Sequence, residues 1–364
     1  MDSQRVGAKT PAACIVGIAA AMKNDAPLKV TRKGKIMKTG LLSIAGSSLA
    51  LWLGGWMTLF TAPALAQTGT HSGVMIGAFV SGDRDNFIAL EKQLGRVLAI
   101  DFTYKQWAWS DGLSRQVWDI QQGRTPLIAW SAKLNGKGTC VTAADIAAGK
   151  YDAQLKMQAK AMKSLGSKVL IDFIPEMTDR KIGMDCFYGA AWSADDAGIA
   201  RAGAAYAAAQ RHVVGIFRAS GATNAEWVFA PDGQPFKNRG GGTPEWTRFY
   251  PGSAWVDWIG VDHHIGPGRR KAFPDHLLSK FYRETESYGK PLMLAQTAAD
   301  PDPSVQPDAQ TLWLSGAEAT IPKQFPAIHA VIYNDHGKRN QHMLSGAGLA
   351  AFKAMANDPY FAAR

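Results

Sequence analysis

The stretch KVLIDFI at 168–174, followed by Pro175-Glu176-Met177, carries the reading of the fold. Seven residues, mostly β-branched or apolar, run continuously rather than alternating with polar ones, as expected of a parallel strand buried on both faces. The Ala-rich stretch 153–165 before it has strong helix propensity, and upstream Thr142 with Asp145 matches the S/T-x-x-D/E cap that opens a helix. After it, Ser193 with Asp196 repeats that cap ahead of a second Ala-rich helix at 197–210, and the next apolar run is AEWVFA at 225–230. The unit is therefore helix, strand, helix, strand.

The same alternation extends in both directions. Further strands are expected at 73–80, 96–103, 126–131, 257–262, 290–296 and 327–334, with helices near 83–94, 113–122, 274–287, 308–318 and 343–356. Eight strand–helix repeats predict an α/β fold, a single (β/α)8 TIM barrel, because each right-handed crossover lays the next parallel strand beside the last until the sheet closes. A doubly wound sheet is the competing arrangement. Against it, no G-x-G-x-x-G or Walker loop follows the first strand, and Gly240-Gly241-Gly242 sits in a long loop that does not open a helix.

The chain of 364 residues is 46% hydrophobic and 19% charged, which excludes disorder and fibrous classes. Its net charge of +10 is concentrated at the front, where residues 1–40 hold eight Lys and Arg against Asp2 and Asp25. An apolar run from Leu41 to Phe60 and the small-residue site Ala64-Leu65-Ala66 follow, so 1–66 reads as a secretory signal peptide cleaved before Gln67, with Met37 as a possible true start. Gly46, Ser47, Ser48, Gly54 and Gly55 favour cleavage over an uncleaved anchor, which would be the protein's one tie to a membrane. From totals of 40 basic and 30 acidic side chains, cleavage leaves 32 and 28, a mild +4. With no basic stripe interleaved with aromatics, nucleic acid drops out as a partner, and Arg269-Arg270-Lys271 reads as a solvated loop. The expected location is periplasmic or extracellular. There a disulfide is the economical reading of Cys140 and Cys186, since neither has partners at metal-ligand spacing.

In such a barrel, chemistry belongs where the strands end. Candidates are Asp101, Tyr104, Trp107 and Trp109 after the second strand, Trp130 in the third, Asp172 and Glu176 at the fourth, and Asp232 after the fifth. The sixth offers Asp262, His263 and His264, the seventh Gln296, and the eighth Tyr333, Asn334, Asp335 and His336. Trp107, Trp109 and Trp130 are expected to line a cleft, where an indole face can stack on a sugar ring, whereas Trp118, Trp255 and Trp258 read as packing. A zinc site at His263 and His264 would need a third ligand, and successive strand residues point to opposite sides, so one histidine in the cleft and one in the wall is expected, with no metal and no cofactor.

From about residue 73 to 355 the chain resembles glycoside hydrolase family 26, known best for β-mannanases. The resemblance rests on VTAADIAAGKYDAQLKMQAKAMKSLG leading into VLIDFIPEM, on WVFAPDG, on FYPGSAWVDWIGVDHH and on KPLMLAQTAA, with YPG-x4-DWIGVD its most specific portion. It implies retaining hydrolysis by two glutamates, an acid/base at the end of the fourth strand and a nucleophile at the end of the seventh, about 5 to 5.5 Å apart. These fall on Glu176 and on Gln296, a neutral amide that cannot act as a carboxylate nucleophile. Where the family has Arg-x-x-His-Glu-Met-Asn-Gly, this chain has Asp172-Phe173-Ile174-Pro175-Glu176-Met177-Thr178-Asp179, and His264 stands where a tyrosine is common.

Three readings follow. Glu176 works as general acid with another carboxylate, Asp172, Asp262, Asp300 or Asp335, as base for water, an inverting arrangement with carboxyls about 6.5 to 9.5 Å apart. Alternatively the cleft binds polysaccharide without cutting it, or the substrate supplies its own nucleophile. The expected partner is a β-linked polysaccharide or oligosaccharide, mannan-like or the cell's own exopolysaccharide. Asp232, Asp262, His263, His264, Tyr333 and Asp335 are expected to bind it with the three tryptophans, and the chain is expected to be a monomer.

Overall fold

The computed structural model describes residues 73–134, 139–179, 185–193, 195–233, 236, 245–266, 272–301, 306–336 and 342–364. The signal peptide expected at 1–66 and the Gly240 loop lie outside the described residues. Eight parallel strands close into a barrel: β1 (Met75–Val80), β2 (Ile100–Lys105), β3 (Thr125–Trp130), β6 (Val169–Phe173), β7 (Ala225–Phe229), β8 (Trp258–Ile265), β9 (Leu292–Ala299) and β10 (Ile328–Asp335), with β10 pairing back onto β1. A two-stranded antiparallel ribbon of β4 (Lys133–Leu134) and β5 (Thr139–Cys140) follows β3. The sequence places all eight barrel strands.

Helices α1 (Arg84–Leu94), α2 (Ser114–Gln121), α3 (Ala143–Ala147), α4 (Asp152–Ser164), α5 (Asp185–Tyr188), α6 (Asp196–Ala219), α7 (His276–Thr285), α8 (Ala309–Gln324) and α9 (Gly346–Asn357) join the strands. The Thr142 hydroxyl accepts the Asp145 amide as its cap signature predicts. At α6 the cap is Asp195, which accepts Gly198 N–H, while Ser193 donates to the Asp195 carboxylate. A carboxylate beside the helix N-terminus satisfies a free amide and favours the dipole, so it displaces serine there. Among the described residues no helix is long and apolar enough to cross a membrane.

Strand parity divides the core in two. Inward residues, among them Ile100 and Phe102 of β2, Leu127 and Ala129 of β3, Leu170 of β6, Met293 and Ala295 of β9, and Ala330 and Ile332 of β10, fill the barrel lumen. Outward residues pack against the helices in a second, larger cluster that holds Ile128, Trp130, Val169, Ile171, Val261 and Val331. Gly260 faces the lumen, where a Cβ would meet Ala295, Met293 and Ala230 at 3.0 to 3.2 Å, so the floor beneath the site is filled.

Candidate active site

Glu176 is held at the barrel mouth by a bent chain. Immediately after β6, Ile174 and Glu176 both adopt φ of +56° on either side of Pro175. The left-handed region is costly for a β-branched residue, and more so before proline, at about 1–3 kcal/mol per such residue. The turn is fixed by Glu176 N–H donating to Ala230 O at 3.2 Å, Ile174 N–H to Trp130 O at 2.9 Å, and Asp179 N–H to Glu176 O at 2.8 Å. Such strain persists where the surroundings over-determine it, most often at functional sites.

Gln296 reaches the same mouth by another device. Along β8 and β9, Val261 pairs with Leu294 but Asp262 pairs with Gln296, so β9 carries one extra residue. This bulge resets the alternation: Ala295 packs in the lumen, and Gln296 also turns inward. Its amide is then gripped on both ends. Nε2 donates to Asp262 Oδ2 at 2.7 Å, and Oε1 accepts the Tyr104 hydroxyl at 2.6 Å and Asn334 Nδ2 at 3.3 Å.

Glu176 and Gln296 line one cavity of about 310 Å3. Tyr104, Ser131, Lys133, Pro175 and Phe187 are among its other walls, together with Cys140 and Cys186, which are joined by a disulfide with Cα atoms 5.5 Å apart. The Glu176 carboxyl is pushed up to about 8 by burial and then by the charges of Asp232 and Asp179, so it carries its proton at neutral pH. Asp172 points into the lumen beneath, wholly buried, with neither carboxyl oxygen hydrogen-bonded; burial, then Glu176, holds it well above the carboxylate range. Asp262 is raised in the same way, by burial first and then by Glu176, Asp172 and Asp232. Asp232 is buried beside it in a bridge to Asp262, its carboxylate accepting the Thr178 hydroxyl.

Several expected ligands stand elsewhere. Trp107, Trp109 and Trp130, expected to line the cleft, are 0%, 6% and 0% exposed. Trp130 lies on the outward face of β3, stacked on Trp107 at 5.1 Å and tilted against Trp109 at 4.8 Å, because Leu127 and Ala129 take the inward positions. His263 likewise faces out, paired with Asp275 at 2.9 Å. Tyr333 is fully buried, its hydroxyl donating to His342 O at 3.0 Å and accepting Gln310 Nε2 at 2.8 Å, and Asp335 accepts Leu344 N–H at 2.7 Å. Asp101 also faces outward, in an ion pair with Arg115 at 2.5 Å. His264 does not line the cavity; it packs against His342 with ring centres 5.1 Å apart, and burial, then His342 and His263, lowers it to about 3. Ser131, Lys133 and Phe187 are cavity residues that the strand-end reading missed, since they lie beyond β3 or on a short helix. Among the described residues no group of three or more His, Cys, Asp or Glu could hold a metal ion.

No family model matches the chain. It is 26% identical over 296 residues to endoglucanase H of Acetivibrio thermocellus, covering 78% of this chain and 30% of that protein, so it spans less than a third of the relative's length. Among solved structures it is similar to the family 26 endo-β-1,4-mannanase of Bacillus sp. JAMB-750, with a TM-score of 0.60, 13% identity, and 79% and 86% of the two chains covered. A Bacillus subtilis mannanase gives 0.55 at 16% identity over 80% and 87%, and a family 26 protein of Muricauda sp. gives 0.56 at 14% over 80% and 87%. The barrel that the resemblance to glycoside hydrolase family 26 implied is thus the fold of this chain, shared with solved β-mannanases of that family.

Proposed function

We propose that the protein is an exported, divergent member of glycoside hydrolase family 26 that acts on a β-linked polysaccharide at the cavity between Glu176 and Gln296. The observation that carries this reading is Glu176 itself: a carboxyl on a strained turn, facing a cavity, and protonated at neutral pH. A protonated carboxyl can give its proton to the glycosidic oxygen as the bond to the anomeric carbon breaks, and the carboxylate left behind can take a proton from the incoming water. Gln296 occupies the nucleophile position as an amide, so no glycosyl ester forms there. Its fixed orientation suits it to hydrogen-bond a sugar hydroxyl beside the reacting carbon. The four carboxylates considered as base for an inverting reaction are not among the residues lining this cavity. Asp172 is sealed beneath it, Asp262 is bonded to the Gln296 amide, Asp300 lies 2.5 Å from His342, and Asp335 accepts a loop amide. Cleavage on this reading draws its second group from the substrate.

The neutral amide at position 296 favours a second reading, in which the barrel binds polysaccharide without cutting it and assists the making or export of the cell's own exopolysaccharide. A reducing-end and product-profile assay on mannans, glucans, xylans and the host exopolysaccharide separates the two. Cleavage abolished in Glu176→Gln supports the enzyme, and retention of anomeric configuration supports a nucleophile from the substrate. Retardation on one polymer with no new ends supports the binding protein, and neither result on any polymer overturns both readings.

A further inference from the structure

The cavity has a chemical asymmetry that the Glu176 and Gln296 pair does not use. On the wall formed beyond β3, Ser131 and Lys133 both line it. The Lys133 backbone is pinned on two sides, its N–H donating to Ser131 Oγ at 3.1 Å and its carbonyl accepting Trp107 N–H at 3.1 Å. Across the β4–β5 ribbon it pairs with Cys140, whose disulfide to Cys186 ties that ribbon to α5. The lysine is thus rooted on a clamped segment, while the residue is exposed and makes no ion pair among the described residues. Because Ser131 Oγ accepts from the backbone, its O–H remains a donor. Lys133 and Glu176 are the two ionisable acid–base side chains of opposite kind among the charged lining residues, and Glu176 holds its proton at neutral pH. The cavity wall therefore carries a lysine on a held backbone and a neighbouring hydroxyl donor, with no lining anion to neutralise the lysine.

We propose that Lys133 and Ser131 form a subsite for a carboxylate carried on a sugar ring, which makes the substrate an acidic, uronate-bearing β-linked polysaccharide. A carboxylate would accept from the Lys133 ammonium and the Ser131 hydroxyl together, and charge-assisted hydrogen bonds of this kind are about twice as strong as neutral ones. A neutral mannan leaves the ammonium to water and gains nothing from it. The inference rests on the glycan reading of the cavity and adds to it the charge of the sugar.

Calorimetric titration of the wild-type protein with β-1,4-linked mannuronate and glucuronate oligomers, their methyl esters, and β-1,4-linked mannose oligomers tests it. An acidic oligomer is expected to bind about tenfold tighter than its ester and than the mannose oligomer. The advantage should vanish in Lys133→Ala, survive in Lys133→Arg, and shrink as salt rises. Equal binding of acid, ester and mannose oligomers would overturn the subsite while leaving the glycan reading standing, as would a preference that Lys133→Ala leaves intact. Binding of none of them would overturn this inference, and the glycan reading falls with it only if the polymer panel above also gives neither cleavage nor retardation.

Discussion

The two faces of the barrel strands carry similar polar residues and differ in whether a cation stands beside them. On the outward face, polar groups at the strand ends are paired: Asp101 with Arg115, His263 with Asp275, and Asp335 with the Leu344 amide. Deeper in the same layer, Arg124 meets Glu91 through two hydrogen bonds of 3.0 and 2.6 Å. On the inward face, Asp172 has no hydrogen bond to either carboxyl oxygen, Asp262 has none to Oδ1, and both are raised by burial. The outer layer has buried oxygens without hydrogen bonds too, Asp101 Oδ1 and both of Asp119, but it sets a cation beside each carboxylate, Arg115 and Arg124. The lumen keeps carboxyls that cost free energy, since an unsatisfied buried polar group costs about 1–3 kcal/mol. That imbalance beside a strained glutamate is the physical mark of a site rather than of a core.

The largest effect should come from the lumen. If the protein cleaves its polymer, Glu176→Gln should lower turnover by about 10²–10⁴-fold, the usual worth of a positioned acid, with little loss of thermal stability. Wild-type activity should hold on the acid side and fall as pH rises through about 8, where Glu176 loses its proton. A rate that instead rises through pH 8 would make Glu176 a base only and would break the assignment.

In the wall, the expected effect has the other signature. Trp130→Ala removes a fully buried indole stacked on Trp107 and bonded through Nε1 to Trp107 O at 3.1 Å. It should cost about 3–5 kcal/mol of stability, a large share of what a domain has, read by denaturant unfolding. Glycan affinity of the folded fraction should stay unchanged. A selective loss of affinity with normal stability would return Trp130 to the cleft.

These contrasts also show what the sequence could and could not tell. Buried parallel strands are continuous apolar runs, so all eight were readable, from GVMIGAFV to AIHAVIYN. The same continuity hides parity. In PLIAW both faces are apolar, and nothing in the pattern says that Ala129 turns inward and Trp130 outward. Glu176 and Gln296 were legible through the family resemblance at two strand ends. The bulge that turns Gln296 into the lumen is set by the pairing of β8 with β9, a register that a single run of residues does not encode. Lys133 and Ser131 were invisible for another reason: they follow a strand end and join the cavity through a ribbon closed by a disulfide 46 residues apart in sequence.

A smaller effect tests the inward carboxyls through stability. A group whose folded pKa is raised binds its proton more tightly in the native state, so stability falls as pH climbs from the unfolded pKa through the folded one. For Asp172 the decline begins near the ordinary aspartate value, 3.8, and continues upward. Asp172→Asn removes that titration. Its stability relative to wild type should therefore improve steadily from pH 4 to pH 8, the two curves converging at acid pH, as melting temperatures across a pH series would show. Parallel curves would mean that Asp172 is ionised and compensated in the native lumen.

The smallest change probes the grip on Gln296. Tyr104 reaches over the lumen with its ring edge-on to Phe79 and Phe102, at 5.0 and 5.1 Å, and its hydroxyl 2.6 Å from Gln296 Oε1. Tyr104→Phe keeps the ring contacts and deletes that one bond, leaving Oε1 the longer contact from Asn334. The stability cost should be about 1 kcal/mol or less, as for a single neutral hydrogen bond, because the half-exposed position lets water replace the hydroxyl. If the fixed amide orients the sugar, the variant should weaken glycan binding, and Gln296→Ala should add little to that loss because both changes act through one group. Full additivity of the two would mean that tyrosine and glutamine touch the ligand separately, and that the inward face works as scattered contacts rather than as one network.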